Sequence, residues 1–318
     1  MNTTIDQGDQ AARADGLDTG TDVVTGAFSY SGGAIARLLI GSGRQVRTIT
    51  GHPQRAPQGS PIDVHPLDFD DVPGMVASLT GATTLYNTYW VRFAHGQTDH
   101  DQAVANSEKL FDAAGQAGIR RIVHVSITHP SVESPFPYFR GKALVEDALA
   151  GTGIPYAIVR PAILFGGDDV LLNNVAWLLR RLPVFAIGGT GGYRVRAIHV
   201  DDLARLCVDR AAERSDSVTD AVGPERPTFL ELVSSIRSAV GSRSPIVPVP
   251  GRVLSVLSKG LGLALHDVLL TEDEYRAMAA GLADSDGPAT GTTALSTWLA
   301  DHGGQLGLHY ANDLHRHF

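Results

Sequence analysis

The sequence predicts an α/β protein: a doubly wound, mostly parallel sheet with a smaller, mainly helical C-terminal lobe. Three observations carry that expectation. Short apolar runs alternate with longer stretches of helical spacing over residues 22–165, a glycine-rich turn follows the first run, and the alternation loosens after Pro161. Strands alternating with helices of about 10–15 residues build βαβ units, which make a parallel sheet covered by helices on both faces.

The elements follow in order. Val23 and Val24 start a strand that runs into Thr25-Gly26-Ala27-Phe28-Ser29-Tyr30-Ser31-Gly32-Gly33, and residues 35–40 then take helical spacing. Residues 45–50 (QVRTIT) alternate as a strand, 62–66 form another, 75–79 a helix and 83–87 a strand. Apolar residues at 103, 104, 110, 111, 113, 114 and 117 mark one helix face. Residues 120–126 read as a strand, 139–149 as a helix and 156–160 as a strand. In the last third the expected features are a helix over 173–181, a glycine-rich turn over 188–192 and a helix over 200–212. That last helix opens at Asp201-Asp202, acidic residues that suit a helix N-terminus. Beyond Pro227 the chain reads as mostly helical, with breaks at 245–250 and 287–291. The expected division is a tail over 1–21, a nucleotide-binding core over 22–165 and a lobe over 166–318, with segments near 195–222 returning to the core.

Composition excludes several classes. The 318 residues carry 26 Lys+Arg and 34 Asp+Glu, a net charge of −8, with 43% hydrophobic residues. Such a chain buries a core, and it lacks the basic surplus that grips nucleic acid. Residues 1–22 hold Asp6, Asp9, Asp15, Asp18 and Asp22 against Arg13, so 1 − 5 = −4 of the charge sits in a segment poor in apolar residues. That segment reads as a disordered tail without the pattern of a signal peptide. The single cysteine, Cys207, forms no intrachain disulfide, and the apolar stretch over 253–270 is broken by Lys259 and His266. A cytoplasmic monomer or homodimer that binds a small molecule, with no membrane and no nucleic-acid partner, is the expectation. His95, Asp99, His100, His309, His315 and His317 lack metal-ligand spacing, so no metal is expected.

The chemistry is concentrated in three places. The turn after strand one has the spacing Gly26-x-x-Ser29-x-x-Gly32. In a strand–turn–helix context glycines permit the tight turn, and the N–H groups of the helix start meet a pyrophosphate. Ser29 stands where a glycine would allow the closest approach, and its hydroxyl can donate to a phosphate. Strand two ends in Thr50-Gly51-His52 without a carboxylate, with Arg47 and Arg55 nearby. An acid at this place pairs with a ribose hydroxyl and an arginine accommodates a 2′-phosphate, so the reading leans to NADP(H) over NAD(H). Third, Tyr138 and Lys142 lie four residues apart, the spacing of one helix face, in a chain with only three lysines. Tyr89 and Trp90, followed by Val91-Arg92-Phe93, are candidate walls of a substrate pocket, as are Tyr193, Arg194 and Arg196.

The turn, Ser126 with Tyr138 and Lys142 behind it, and the Arg160-Pro161-Ala162-Ile163-Leu164-Phe165-Gly166 run together resemble the short-chain dehydrogenase/reductase superfamily. The likeness is to its extended and atypical branch, often labelled NAD-dependent epimerase/dehydratase. Phe165-Gly166, Leu182-Pro183-Val184 and Val200-Asp201-Asp202-Leu203-Ala204 are similar to bacterial relatives of the nucleotide-binding accessory subunit of respiratory complex I. The resemblance covers roughly residues 22–212 and implies a Rossmann-like core.

It also implies roles. Tyr138 would be the general acid/base, Lys142 would lower its pKa and bind the nicotinamide ribose, and Ser126 would orient the substrate oxygen. Gly26, Phe28, Ser29, Tyr30 and Gly32 would hold the pyrophosphate, Asp68 and Phe69 the adenine end. Asn87, Pro161 and Ile163 would pass the cofactor, with Tyr89, Trp90, Thr128, Phe165, Tyr193 and Arg196 toward substrate. The implied activity is an NAD(P)(H)-dependent oxidoreductase, or an epimerase/dehydratase, acting on a carbonyl or hydroxyl. The alternatives are a dinucleotide-binding redox sensor or assembly factor without turnover, and a reductase using Lys142 without Tyr138, as in isoflavone-reductase-like relatives.

Overall fold

A computed structural model describes residues 20–92 and 99–312. Phe93, His95, His315, His317 and the acidic tail up to residue 19 lie outside the described residues. Seven strands form one parallel sheet: β1 (Thr21–Thr25), β2 (Gln45–Thr50), β3 (Asp63–Pro66), β4 (Ala82–Asn87), β5 (Arg121–Val125), β6 (Tyr156–Pro161) and β10 (Ser217–Ala221). Their order across the sheet is β10-β6-β5-β4-β1-β2-β3, with every pairing parallel. The chain runs outward from β1 to β3, then returns to β4 on the other side. That reversal opens a crevice at the carboxyl ends of β1 and β4, the place where open α/β sheets bind ligands.

Adjacent strand residues point to opposite faces, so neighbours in one strand join different cores. Val24, Val123 and Val159 pack with α1 (Tyr30–Gly41) and α6 (Val200–Ala211), whereas Val23, Ile122 and Ile158 pack with α2 (Val72–Leu79), α3 (His100–Gln116) and α4 (Pro137–Gly151). The central strands are buried on both faces, which is why they read as continuous apolar runs.

The start of β1 corrects the tail reading. Asp22 is not part of the acidic tail: it is 1% exposed inside β1 and is held by Arg44 in two hydrogen bonds of 2.7 Å. A fork-to-fork pair of this kind compensates the burial of the carboxylate.

After β6 the chain builds its second core. Strands β7 (Ile163–Phe165) and β9 (Ala197–His199) pair with each other, as do β8 (Phe185–Gly188) and β11 (Ile246–Val249). Around them lie α5 (Leu171–Arg181), α7 (Phe229–Ala239), α8 (Gly251–Leu265), α9 (Glu272–Ala279) and α10 (Leu295–His302). Phe165, Leu172, Val195, Val233, Ile236 and Leu299 make its apolar centre. Three of these short strands, β8, β9 and β11, lie beyond residue 166 and add to the mainly helical lobe expected there. They are three or four residues long, too short for alternation to register. Among the described residues no helix is long and apolar enough to cross a membrane.

Candidate functional site

The crevice is a cavity of about 1810 Å³ running from the first βα turn to the inner wall of the lobe. At the turn, Gly26 adopts φ +61°, a conformation that favours glycine. Gly32 packs so closely that a Cβ there would lie 2.4 Å from the Gly26 carbonyl oxygen. Ser29 is the N-cap of α1, yet its side chain caps nothing, and α1 has no acid in its first turn. The start of α1 is therefore open to an anion, with the positive end of the helix behind it. Phe28, Ser29, Tyr30 and Ser31 line the cavity here, and the Tyr30 hydroxyl donates to the Gly166 carbonyl at 2.6 Å, joining the turn to the lobe.

Across the turn the wall is basic. Arg55, in the short helical turn Pro53–Arg55 after β2, and Arg37 on α1 both line the cavity. Arg47 is not available to a cofactor. Its guanidinium is turned to Asp63 at 3.0 Å and to the carbonyls of Ser78 and Thr80 at 2.7 and 3.1 Å. Arg37 is not among the expected wall residues, because its helix position carries no local signal of facing the groove; its guanidinium also lies 3.7 Å from Asp201.

Where α4 meets the lobe, Tyr138 lines the cavity, and its hydroxyl has no hydrogen bond to a described residue. Its ring meets the edges of Trp90 at 5.8 Å and of His100 at 5.7 Å. Lys142 points elsewhere. Its ammonium is 2% exposed, donates to the Val125 carbonyl at 2.8 Å and lies 4.7 Å from the Trp90 ring centre. Gly141 explains the arrangement. A Cβ there would come within 2.8 Å of the Trp90 ring, so this helix-weakening glycine is what lets the indole lie against α4.

The electrostatics follow this packing. Burial pushes the Lys142 ammonium down to about 7, with Glu146 partly opposing the shift. Burial pushes the Tyr138 phenol well above its ordinary value; Glu274 adds to the rise and Arg92 works against it. This corrects the expectation that Lys142 lowers the phenol: the lysine's charge faces Val125 and Trp90, and the phenol answers to the Arg92–Glu274 ion pair, 2.7 Å apart. Burial also holds His100 below the ordinary histidine value, so this cavity residue is neutral near pH 7. His100, weighed in the sequence only as a metal ligand, is an aromatic neighbour of Tyr138. Among the described residues no group of three or more His, Cys, Asp or Glu is placed to hold a metal ion.

The pattern of the NAD(P)H-binding family matches residues 26–214, more than half of the chain. The chain belongs to that family. The relatives and structural neighbours agree with the resemblance to atypical short-chain dehydrogenase/reductases. It is 28% identical over 173 residues to mouse mitochondrial NADH dehydrogenase [ubiquinone] 1 alpha subcomplex subunit 9, a match that covers 52% of this chain and 44% of that protein. The chain thus spans less than half the length of the first curated relatives it matches. Among solved structures it is similar to the Escherichia coli NADPH-dependent quinone oxidoreductase QOR2 complexed with NADPH, with a TM-score of 0.71, 21% identity, and coverage of 88% of this chain and 99% of that one. The Citrobacter triphenylmethane reductase complexed with NADP(H) also has a TM-score of 0.71, with 19% identity and coverage of 89% and 99%. These likenesses establish the fold.

The glycine cradle fits the family's dinucleotide. The backbone approach made possible by Gly32 and the uncapped start of α1 are what a pyrophosphate needs. Ile163 also lines the cavity, as does Thr88, which stands at the carboxyl end of β4 and donates to the Thr25 carbonyl at 2.7 Å. Ser126, at the end of β5, has a buried hydroxyl without a partner among described residues.

Other expected site residues are engaged in holding the fold. Asn87 is fully buried: its amide meets His124 at 3.1 Å, and its oxygen accepts from the Tyr89 N–H at 3.0 Å. Thr88 takes its place at the cavity. Asp68 is exposed and accepts from the Asp70 N–H at 2.9 Å, while Phe69 packs against Tyr89 with ring centres 4.8 Å apart. Tyr89 in turn accepts from Asn106 at 2.9 Å, and the Pro161 carbonyl accepts from the Thr128 N–H at 3.0 Å.

Three of the expected substrate contacts are corrected. Thr128 is fully buried and donates to the Leu282 carbonyl at 2.8 Å. Phe165 is fully buried against His199 and Trp298. Arg196 is 8% exposed and donates to the carbonyls of Gly223, Ser285 and Gly287 at 3.0, 2.9 and 2.5 Å. Tyr193 does line the cavity, stacked on Phe229.

Proposed function

We propose that this protein is an NAD(P)H-dependent reductase of a carbonyl group, with Tyr138 as the proton donor and NADPH preferred over NADH. The observation that carries the reading is Tyr138, which lines the same cavity as the glycine cradle. The reduced nicotinamide, when bound, supplies the two electrons as a hydride; with one proton a carbonyl becomes a hydroxyl and the oxidised dinucleotide remains.

A phenol that burial raises above its usual range is protonated at neutral pH and so carries the proton a reduction needs, although the rise also makes it a weaker acid until a ligand and dinucleotide are bound beside it. The Ser126 hydroxyl at the end of β5 is buried without a partner among the described residues and does not line the cavity, so its expected substrate role needs a rotation toward the crevice. Lys142 carries the Val125 carbonyl and the Trp90 ring at its ammonium, so it acts as a positioning residue for the floor beneath Tyr138. Arg55 and Arg37 at the basic wall support the choice of NADPH, since no carboxylate ends β2.

A second reading, a dinucleotide-binding module without turnover, is favoured by one observation: Trp90 covers the Lys142 ammonium that would otherwise approach a ribose. The two readings separate in one experiment. Absorbance at 340 nm is followed with NADPH and a panel of quinones, ketones and aldehydes, for the wild type and Tyr138→Phe. The reductase reading expects turnover that falls roughly 10²- to 10⁴-fold in the variant with NADPH affinity retained. Tight NADPH binding without turnover across the panel supports the second reading.

A further inference from the structure

The half of the cavity beyond Tyr138 differs in chemistry from the half around the glycine turn. A cavity of about 1810 Å³ exceeds the roughly 300–1,000 Å³ of a site for one drug-sized ligand, so a second molecule has room beside a dinucleotide. Its lobe wall is made of Leu178, Phe185, Leu257, Leu261, Leu270 and Met278. Tyr193 and Phe229 add a flat aromatic surface: their rings are 5.4 Å apart and inclined by 18°. Tyr275 supports it edge-on at 6.3 Å, and it can do so because Gly188 and Gly251 lack side chains; a Cβ at either would strike its ring.

The charges of this half are as informative as its apolar wall. The acids lining it are Asp168, Asp169, Asp273 and Glu274. The cation lining it among the described residues is Arg92, already paired with Glu274 at 2.7 Å. The arginines of the lobe nearest in sequence are turned away. Arg194 donates to the Arg226 carbonyl at 2.8 Å, Arg196 to three carbonyls, and Arg226 to Asp284 at 2.6 Å. A nucleoside-diphosphate sugar needs cationic donors on its phosphates. This wall offers it leucines and the carboxylates of Asp168 and Asp273; Glu274 is the partner of Arg92, and Asp169 caps the start of α5.

We propose that the second ligand is a large, uncharged, flat apolar carbonyl compound of the quinone or polycyclic ketone class, and that nucleoside-diphosphate sugars are excluded. The proposal rests on the reductase reading for the fate of the carbonyl, but the binding of this class follows from the wall alone. The aromatic pair takes one face of the ligand, the leucines of α5 and α8 take its edges, and the carbonyl is directed to Tyr138.

The test is calorimetric titration of the full chain loaded with NADP⁺, which cannot reduce the ligand. The probes are 9,10-phenanthrenequinone and UDP-glucose. The quinone is expected to bind in the micromolar range and UDP-glucose not at all at millimolar concentration. Leu261→Asp, which sets a charge on the wall, is expected to weaken the quinone about tenfold or more with NADP⁺ affinity unchanged. Leu263→Asp, on the same helix at a position 80% exposed, is expected to leave quinone affinity as it was. Failure of the quinone to bind, tighter binding of UDP-glucose, or equal loss from both variants overturns the proposal. A quinone that binds as expected yet never oxidises NADPH leaves the ligand class standing and overturns the reductase reading.

Discussion

At the first βα turn the fold exposes its backbone: Gly26 takes a left-handed conformation, Gly32 gives up its Cβ, and Ser29 leaves the start of α1 uncapped. In the lobe the fold does the reverse. Arg180, Arg181, Arg194 and Arg196 all donate to backbone carbonyls, so charged side chains finish loops and leave an apolar wall facing the cavity. The first region is built to receive an anion and the second to exclude one. Tyr138 stands at the seam, on a helix of the core and under the Arg92–Glu274 pair that ties core to lobe.

The comparison can be broken most severely at Gly32. Gly32→Val puts a side chain where 2.4 Å separates a Cβ from a backbone oxygen, and overpacking of this kind costs about 1–3 kcal/mol. NADPH affinity is expected to fall about 100-fold or more. Titration of NADPH fluorescence checks it, and unchanged affinity would remove the cradle from the account.

A smaller effect is expected where Trp90 meets α4. Exchange of a helical glycine for alanine ordinarily stabilises by about 0.5–1 kcal/mol, and Gly151→Ala, with open space around it, is expected to do so. Gly141→Ala is expected to destabilise by about 1–3 kcal/mol, because its Cβ meets the indole at 2.8 Å. Paired urea melts read the opposite signs. Same-sign shifts would mean that the indole is not held against the helix.

Next in size is cofactor choice. Arg55→Glu replaces a donor at the basic wall with a carboxylate and is expected to shift the ratio of NADPH to NADH affinity by roughly tenfold toward NADH. Equal affinities before and after would detach Arg55 from the 2′-phosphate.

A further effect concerns pH. With Lys142 lowered to about 7 in the fold and near 10.5 when unfolded, the unfolded chain binds a proton that the folded one does not between those values. This group therefore disfavours the fold below about 7, and its penalty fades as pH rises toward 10.5. Relative to the wild type, Lys142→Met is expected to have its greatest advantage in Tm near pH 6–7, and that advantage should shrink through pH 10. A difference in Tm that stays constant with pH contradicts the lowered value.

The sheet was legible because each of its central strands places neighbouring residues on two apolar faces, as Val23 and Val24 do, and each is followed by a turn that only certain residues can make. The short ladders of the lobe were not legible, since Ile163–Phe165 and Ala197–His199 hold too few residues to show a period. At the site, the glycine turn and Tyr138 announce themselves by residue type and spacing. The separation of Lys142 from Tyr138 does not, because it depends on Trp90, an indole brought in from the end of β4 across 51 residues of chain to lie on Gly141. Likewise nothing local distinguishes Tyr193, at the cavity, from Arg196, three residues on and held by carbonyls.

The central claim is that Tyr138 delivers the proton in a reduction powered by a dinucleotide seated on the glycine turn. Single-turnover mixing isolates that step. Protein equilibrated with stoichiometric NADPH is mixed with excess 9,10-phenanthrenequinone, and the decay at 340 nm is recorded for the wild type and Tyr138→Phe. The account predicts one exponential in the wild type, a decay slowed about 100-fold or more in the variant, and equal NADPH affinity in both. Equal decay rates in the two proteins would contradict it.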